Sequence, residues 1–353
     1  MRPKRLCVDA RPAGLAALLC VSSLAAPALA FELPCGREDT LSETAAELLL
    51  SGAKLRADTL LPKARALGFD GVALQAHEGF DEAALIAWLK LQSDRADAPL
   101  KCGEASSESR RVVLVSARGG NLGWGKDGLL VGRLAPGFRA PHLVLEDRDG
   151  RAERMDVRVE QLAQGVALPA ERAWVRVQLV AEGPAGPRPV AELALGAGAH
   201  SAAAPEPLIA PPAAADASGG AQERTQDSLF ARLSAFRRRE GANGVRLNQL
   251  LSMSAQRHAG RVCELGKVAH RLREGDDPET RLREEHIEAR AVGEAVARAG
   301  SPDAALSAMF DSPSHRLAVA EKGFTDAGIG QANDAKGHTC LVVLLAAWPR
   351  RVP

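Results

Sequence analysis

The sequence predicts a multidomain exported α+β protein: a small helical unit, an antiparallel β-sandwich, a spacer, and a C-terminal domain in which helices pack on a small sheet. Three observations predict it. Apolar residues recur at helical spacing as far as Ser93, alternate with a period of two from Arg110, and return to helical spacing beyond Asp227. A tract of Ala, Pro, Ser and Gly interrupts that patterning, and 353 residues exceed what one hydrophobic core usually organises.

The first thirty residues read as a signal peptide. Arg2, Lys4 and Arg5 form a basic start, GLAALLCVSSLAA a short apolar run, and Ala28-Leu29-Ala30 a small-residue cleavage site. This implies a secreted, periplasmic or envelope-facing protein. No later stretch reaches the roughly 18 apolar residues of a membrane span. Basic and acidic residues number 45 and 44 with no basic block, so no nucleic-acid partner is expected.

Removing residues 1–30 takes away Cys7 and Cys20 and leaves Cys35, Cys102, Cys263 and Cys340, an even count that in an exported chain reads as two disulfides. Four cysteines allow three pairings. Because two fall in each half, Cys35–Cys102 and Cys263–Cys340 are the economical ones. The rival reading is zinc, but there is no CxxC pair.

Residues 31–106 are expected to form the small helical unit. Thr40 and Glu43 have capping-box spacing, TAAELLLSGAKL carries a helical apolar pattern, and DEAALIAWLKL repeats it behind Asp81, with Trp88 expected in the core. Residues 107–196 read as an immunoglobulin-like sandwich: VVLVSA, HLVLED, MDVRVE and WVRVQLV are short Val-rich runs, and Asp149-Gly150 sits where a hairpin turn belongs. Residues 197–226 are expected to be a spacer, since SAAAPEPLIAPPAAADASGGAQ has almost nothing to bury.

In residues 227–350, SLFARLSAFRRREGANGV predicts a first helix ending at Gly241, with Arg237, Arg238 and Arg239 as a solvated end. LNQLLSMSAQRHAGRVCELGKVAH predicts a second, with Leu247, Leu251, Ala255, His258 and Val262 on its apolar face. Asp277-Pro278 and Ser301-Pro302 each place an N-cap before a proline at the first helical position. SPSHR is expected to end a helix at Pro313, with Arg316 near its negative end, and FTDAGIG and HTCLVVLLAAW read as strands.

Ordered motifs in this region carry a resemblance. FRRREGANGVRLNQLLSMSAQRHA, His270, Glu294 in VGEAVA, His315 in SPSHR, the FTDAGIG strand, and Gly337-His338 before Val342-Val343 follow one another in this order. Together they resemble the CAP superfamily, the cysteine-rich secretory, antigen 5 and pathogenesis-related 1 type, also called SCP. The resemblance covers about a third of the chain and implies an α/β/α sandwich with a cavity formed by His270, Glu294, His315 and His338, with Glu274 as a further acidic candidate. In that family such a cavity can hold a divalent metal such as zinc, for which imidazole and carboxylate are suitable ligands. This chain departs from the pattern: Ala295 follows the glutamate, Ala318 stands three residues past the motif histidine, and Thr339, Cys340 and Leu341 replace the aromatic residues of the last strand.

Two functional classes follow. The first is a non-catalytic extracellular scaffold binding a protein, peptide or envelope ligand, in which His270 and His315 hydrogen-bond Glu294 or backbone groups and shape the cavity. The second is a metal-assisted hydrolase of peptides or cell-wall material, which needs His270, Glu294 and one more histidine to meet at one point. Ser312 and Ser314 beside His315 suggest a serine hydrolase, but no GxSxG elbow accompanies them and their spacing does not suit a triad.

Overall fold

The computed structural model describes residues 33–52, 55, 57–195 and 221–348. The expected signal peptide, residues 196–220 of the expected spacer, and the last residues of the chain lie outside them.

The first elements are β1 (Gly36–Arg37), α1 (Asp39–Leu50), α2 (Ala57–Ala66), β2 (Gln75–Glu78), α3 (Glu82–Arg95), β3 (Leu100–Ser106) and β4 (Arg111–Ala117). They do not make a purely helical unit. The strands form one sheet in the order β1-β3-β4-β2, so the VVLVSA strand expected to open the sandwich pairs instead with the preceding residues. β2 and β3 escape the periodicity reading because QAHE is short and LKCGEAS breaks its alternation at Gly103, as tolerated flanking a buried strand such as β4. Cys35 and Cys102 are bridged. Asp81 caps α3 by accepting from the Ala84 N–H, as expected. The capping box at Thr40 does not form, because the helix has already begun at Asp39. Trp88 is half-buried against His77, while Leu85 and Leu89 face the core.

Next come β5 (Gly120–Trp124), β6 (Leu130–Leu134), β7 (Arg139–Asp147), β8 (Ala152–Asp156), α4 (Val159–Gln164), β9 (Trp174–Gly183) and β10 (Gly186–Ala194). An antiparallel sheet runs β10-β9-β7-β8, and the expected Asp149-Gly150 turn joins β7 to β8. Opposite it lies no second full sheet but the β5/β6 hairpin and α4, which share a core of Leu122, Leu130, Leu143, Leu145, Leu162, Val177 and Leu179. The MDVRVE run divides here: β8 ends at Asp156 and Val159 opens α4.

The remaining elements are α5 (Ala221–Arg239), β11 (Arg246–Leu247), α6 (Gln249–Leu265), α7 (Pro278–Glu284), β12 (Ala291–Ala299), α8 (Pro302–Asp311), α9 (Pro313–Ala320), β13 (Asp326–Asn333) and β14 (Thr339–Ala347). α5 therefore starts inside the segment expected to be spacer. The sheet order is β11-β13-β14-β12, and helices lie on both faces. Leu341, Val343 and Leu345 of β14 pack with Leu229, Leu233 and Phe236 of α5 and Met309 of α8. Cys340, Val342 and Leu344 pack with Leu251, Ala255 and Val262 of α6. A strand covered on both faces needs no polar alternation, which explains the unbroken TCLVVLLAA. α6 lies directly on β13: a Cβ at Gly328 would stand 2.2 Å from the Leu251 carbonyl carbon, and one at Gly330 2.1 Å from the Gln256 nitrogen. FTDAGIG carries glycine at both positions because a helix backbone occupies that space.

Four expectations for this region change. Leu247 lies in β11 at 36% exposure and not on the apolar face of α6, which begins at Gln249. α6 stops at Leu265 because Gly266 turns left-handed (φ 60°), so His270 sits in a loop. SPSHR starts a helix instead of ending one: Ser312 closes α8, and Pro313 is the first residue of α9, where its missing N–H costs nothing. Arg237 is not solvated. It is fully buried and donates to the carbonyls of Asn243, Val319 and Glu321, while Arg238 and Arg239 remain exposed. An Arg237→Met variant keeps the bulk but leaves those carbonyls without their donor, and urea unfolding is expected to show a loss of about 2–3 kcal/mol.

Candidate functional site

The site centres on Glu294 in the middle of β12, where its side chain is removed from water. One carboxylate oxygen accepts from His270 Nδ1 at 2.9 Å, and the other accepts from the Arg281 guanidinium. Arg281 projects from α7, which Asp277 caps by accepting from the Thr280 N–H at 2.9 Å. Its other guanidinium nitrogen donates to the His270 carbonyl at 2.8 Å and the Asp276 carbonyl at 2.7 Å. Arg281 thus holds both ends of the loop between α6 and α7. His258, on the buried face of α6, donates from Nε2 to the Ala269 carbonyl at 2.9 Å, with the same nitrogen 3.8 Å from Glu294.

These contacts set the charge states. Burial alone would raise the pKa of Glu294. The His270 hydrogen bond and the charges of His270 and Arg281 outweigh it and hold the carboxyl below its ordinary range. Burial pushes His258 down against the attraction of Glu294, so its ring is neutral with the proton on Nε2. His315, in the first turn of α9, is lowered to about 4 by burial and by the neighbouring charge of His270. Its Nδ1 is buried without a hydrogen-bond partner.

The expected cavity set divides accordingly. His270 hydrogen-bonds Glu294 and lies near enough to His315 for its charge to act on that ring, while His338 does not join them. β12 and β14 pair with Glu294 opposite Leu344 and Ala299 opposite Thr339. His338 precedes Thr339, so six residues at about 3.4 Å each put it about 20 Å along the sheet. There it receives a hydrogen bond from Arg298 at 2.9 Å and lies beside Asp334. Glu274 is exposed on the loop. Ser312 and Ser314 face each other at 3.3 Å, and Gln178 bonds to both residues, so the serine-hydrolase arrangement does not form around His315 Nδ1.

Among the described residues, no group of three His, Cys, Asp or Glu side chains is arranged to hold a metal ion. The chemistry of Glu294 agrees, since both its oxygens are engaged and the balancing cation is Arg281. The donor set therefore does not fit zinc. The cluster can neutralise a buried carboxylate and fix a loop to a sheet.

Arg281 was not among the residues the sequence singled out. Neither were Glu146, Gln178 and Glu182 of the N-terminal half, which reach the same region. Gln178 Oε1 accepts from the Ser314 N–H at 3.0 Å, Glu146 accepts from Arg316 at 3.0 Å, Glu182 accepts from Arg271, and the Ala185 carbonyl accepts from the backbone N–H of His270 at 3.0 Å.

No family model matches the sequence, and no curated protein matches it. Solved structures show similarity to parts of the chain. An outer surface protein from Borrelia burgdorferi is 19% identical over 36% of this chain and 96% of its own, with a TM-score of 0.34. An extracellular protein containing an SCP domain from Bacillus anthracis is 13% identical over 58% of this chain and 67% of its own (TM-score 0.33). A cysteine-rich secretory protein from Staphylococcus aureus is 13% identical over 57% of this chain and 64% of its own (TM-score 0.30). Among the described residues two disulfides are formed, Cys35–Cys102 and Cys263–Cys340. Among the described residues no helix is long and apolar enough to cross a membrane.

Proposed function

We propose that this chain is a non-catalytic extracellular binding scaffold whose His270–Glu294–Arg281 cluster braces a CAP/SCP-type module over residues 227–350. The observation that carries this reading is the state of Glu294: it is buried, ionised, and engaged through both oxygens by residues of its own fold. A catalytic or metal-binding carboxylate needs an oxygen facing the reacting group or ion. Two disulfides support an oxidising compartment outside the cytoplasm. The order of His270, Glu294, SPSHR and FTDAGIG, with helices on both faces of one sheet, supports the module assignment. The partner this reading implies is an extracellular protein, a peptide or an envelope ligand.

Thermal unfolding with and without zinc tests the reading. His270→Ala removes one donor to a buried carboxylate and is expected to cost about 1–3 kcal/mol, seen as a lower Tm. Added zinc is expected to leave the Tm of the unmodified protein unchanged. A zinc-dependent rise in Tm that disappears in both His270→Ala and Glu294→Ala would overturn the proposal in favour of a metal-assisted hydrolase.

A further inference from the structure

An antiparallel sheet with one face in a core ordinarily gives its other face to water. The sheet β10-β9-β7-β8 does not. Leu143, Leu145, Val177 and Leu179 point into its core, and the alternate positions carry Glu146, Arg176, Gln178 and Glu182, joined from β10 by Glu192 opposite Gln178. Glu146, Gln178 and Glu192 are buried, at 6%, 3% and 5% exposure. Burying such groups is costly unless each finds a partner. The partners of Glu146, Arg176, Gln178 and Glu182 include residues from the other half of the chain, around the candidate site.

We propose that this polar sheet face is a built-in cap on the histidine rim of the C-terminal module, so that the two halves act as one body and a ligand reaches the rim only when the cap separates. The described residues from Cys35 onward form a single compact unit. The contacts follow the rim in order. Arg176 donates to the Asp311 carbonyl at the end of α8 at 2.6 Å. Gln178 takes the Ser314 N–H at the start of α9, a donor that the α9 N-cap, Ser312, leaves unserved. Glu146 lies between Arg176 and Arg316, at 2.5 and 3.0 Å. Glu182 pairs with Arg271, and the Ala185 carbonyl accepts the backbone N–H groups of both His270 and Arg271, each at 3.0 Å. Gly186 permits this approach: a Cβ there would stand 2.9 Å from the Cβ of His270, and its φ of +103° already favours glycine.

The composition of the contact suits a separable cap. Its hydrogen-bonded part is made of charged and amide groups that water can satisfy again, and the apolar part on the same face is small, with Val144 and Val180 buried at 1% and 4% exposure, whereas a wholly apolar seam would carry a larger penalty on opening. It also continues past His270 to His315, a half-buried residue whose Nδ1 is shielded from solvent next to the Ser314 N–H that Gln178 accepts. This inference concerns access to the rim and holds whether or not the cluster beneath it is a brace.

Histidine carbethoxylation of the full chain, read residue by residue by mass spectrometry, tests it. Exposed His286 and core His258 serve as internal references. In the unmodified protein, His315 is expected to react about ten-fold more slowly than His286, the protection of a locally closed region. Glu182→Arg sets two arginines against each other and is expected to raise His315 labelling about five-fold or more with His258 still protected; Glu182→Arg with Arg271→Glu is expected to restore protection. Labelling of His315 at the rate of His286 in the unmodified protein, or no change in Glu182→Arg, overturns the cap. If Glu182→Arg also exposes His258 by unfolding, Gln178→Ala decides: faster hydrogen exchange at the Ser314 amide with His258 protected supports the cap, and unchanged exchange overturns it.

Discussion

Glu294→Ala is expected to lower the unfolding free energy by about 3–5 kcal/mol, the cost of breaking a buried ion pair from one side. The alanine leaves Arg281, 4% exposed, with no carboxylate nearer than Asp276 at 3.9 Å, and removes the acceptor for His270 Nδ1. The loop from Gly266 to Asp277 then loses its attachment to β12, although Arg281 still grips the carbonyls of His270 and Asp276. Denaturant unfolding at pH 7 measures this, with a lower midpoint and an unchanged slope. The double variant Glu294→Leu with Arg281→Met removes both charges and is expected to recover most of the loss, because apolar replacements of a buried pair are often neutral. A single-variant loss below about 1 kcal/mol would contradict the brace. The same carboxylate shapes the acid limb. Its folded pKa lies below the ordinary 4.5, so its contribution is complete above that value and is lost as pH falls through the folded pKa. In Glu294→Ala that part of the acid destabilisation is expected to disappear.

This result separates what the sequence made legible from what it did not. Local signals read well where one residue type has one physical use: Asp81, Asp277 and Ser301 each accept the backbone N–H three residues ahead. The glycines of FTDAGIG and the continuous apolar run of β14 also stand for simple facts, a helix lying on a strand and a strand covered on both faces. Glu294 and His270 could be named from motif order, yet nothing in the sequence separates Arg281, which neutralises the carboxylate, from exposed Arg283 two positions on. The same holds for Arg237 beside Arg238 and Arg239. Charge alone does not reveal burial, because a guanidinium goes inside wherever the fold gathers carbonyls or a carboxylate to meet it. The short strands QAHE and LKCGEAS failed differently: each is defined by its neighbour β4, not by its own pattern. Gln178 and Glu146 alternate with apolar residues along their strands, and only the docking of the two halves shows that their face is covered.

Cys263→Ser with Cys340→Ser is the second change expected to be severe. The bridge joins the end of α6 to the start of β14 and closes a loop of 77 residues, worth about 4.5 kcal/mol on the chain-entropy account, with about 2–5 kcal/mol expected in practice. Its place in the sheet is distinct from that of the glutamate cluster. Cys340 pairs with Arg298, and Glu294 with Leu344, so the two fasteners lie four residues apart along β14, about 14 Å, and share no partner. Their losses are therefore expected to add to within about 0.5 kcal/mol. One fastener ties α6 to the sheet covalently, while the other ties the following loop to it through charge. A domain stable by about 5–15 kcal/mol survives the loss of one. Combining Glu294→Ala with both serine substitutions is expected to leave a chain without a cooperative unfolding transition, whereas either change alone keeps one. Denaturation of the three proteins, each beside the unmodified chain with and without a thiol reductant, measures the additivity. If reductant left the unmodified chain's midpoint unmoved, the covalent fastener would carry no stability and the C-terminal module would rest on packing and the Glu294 cluster alone.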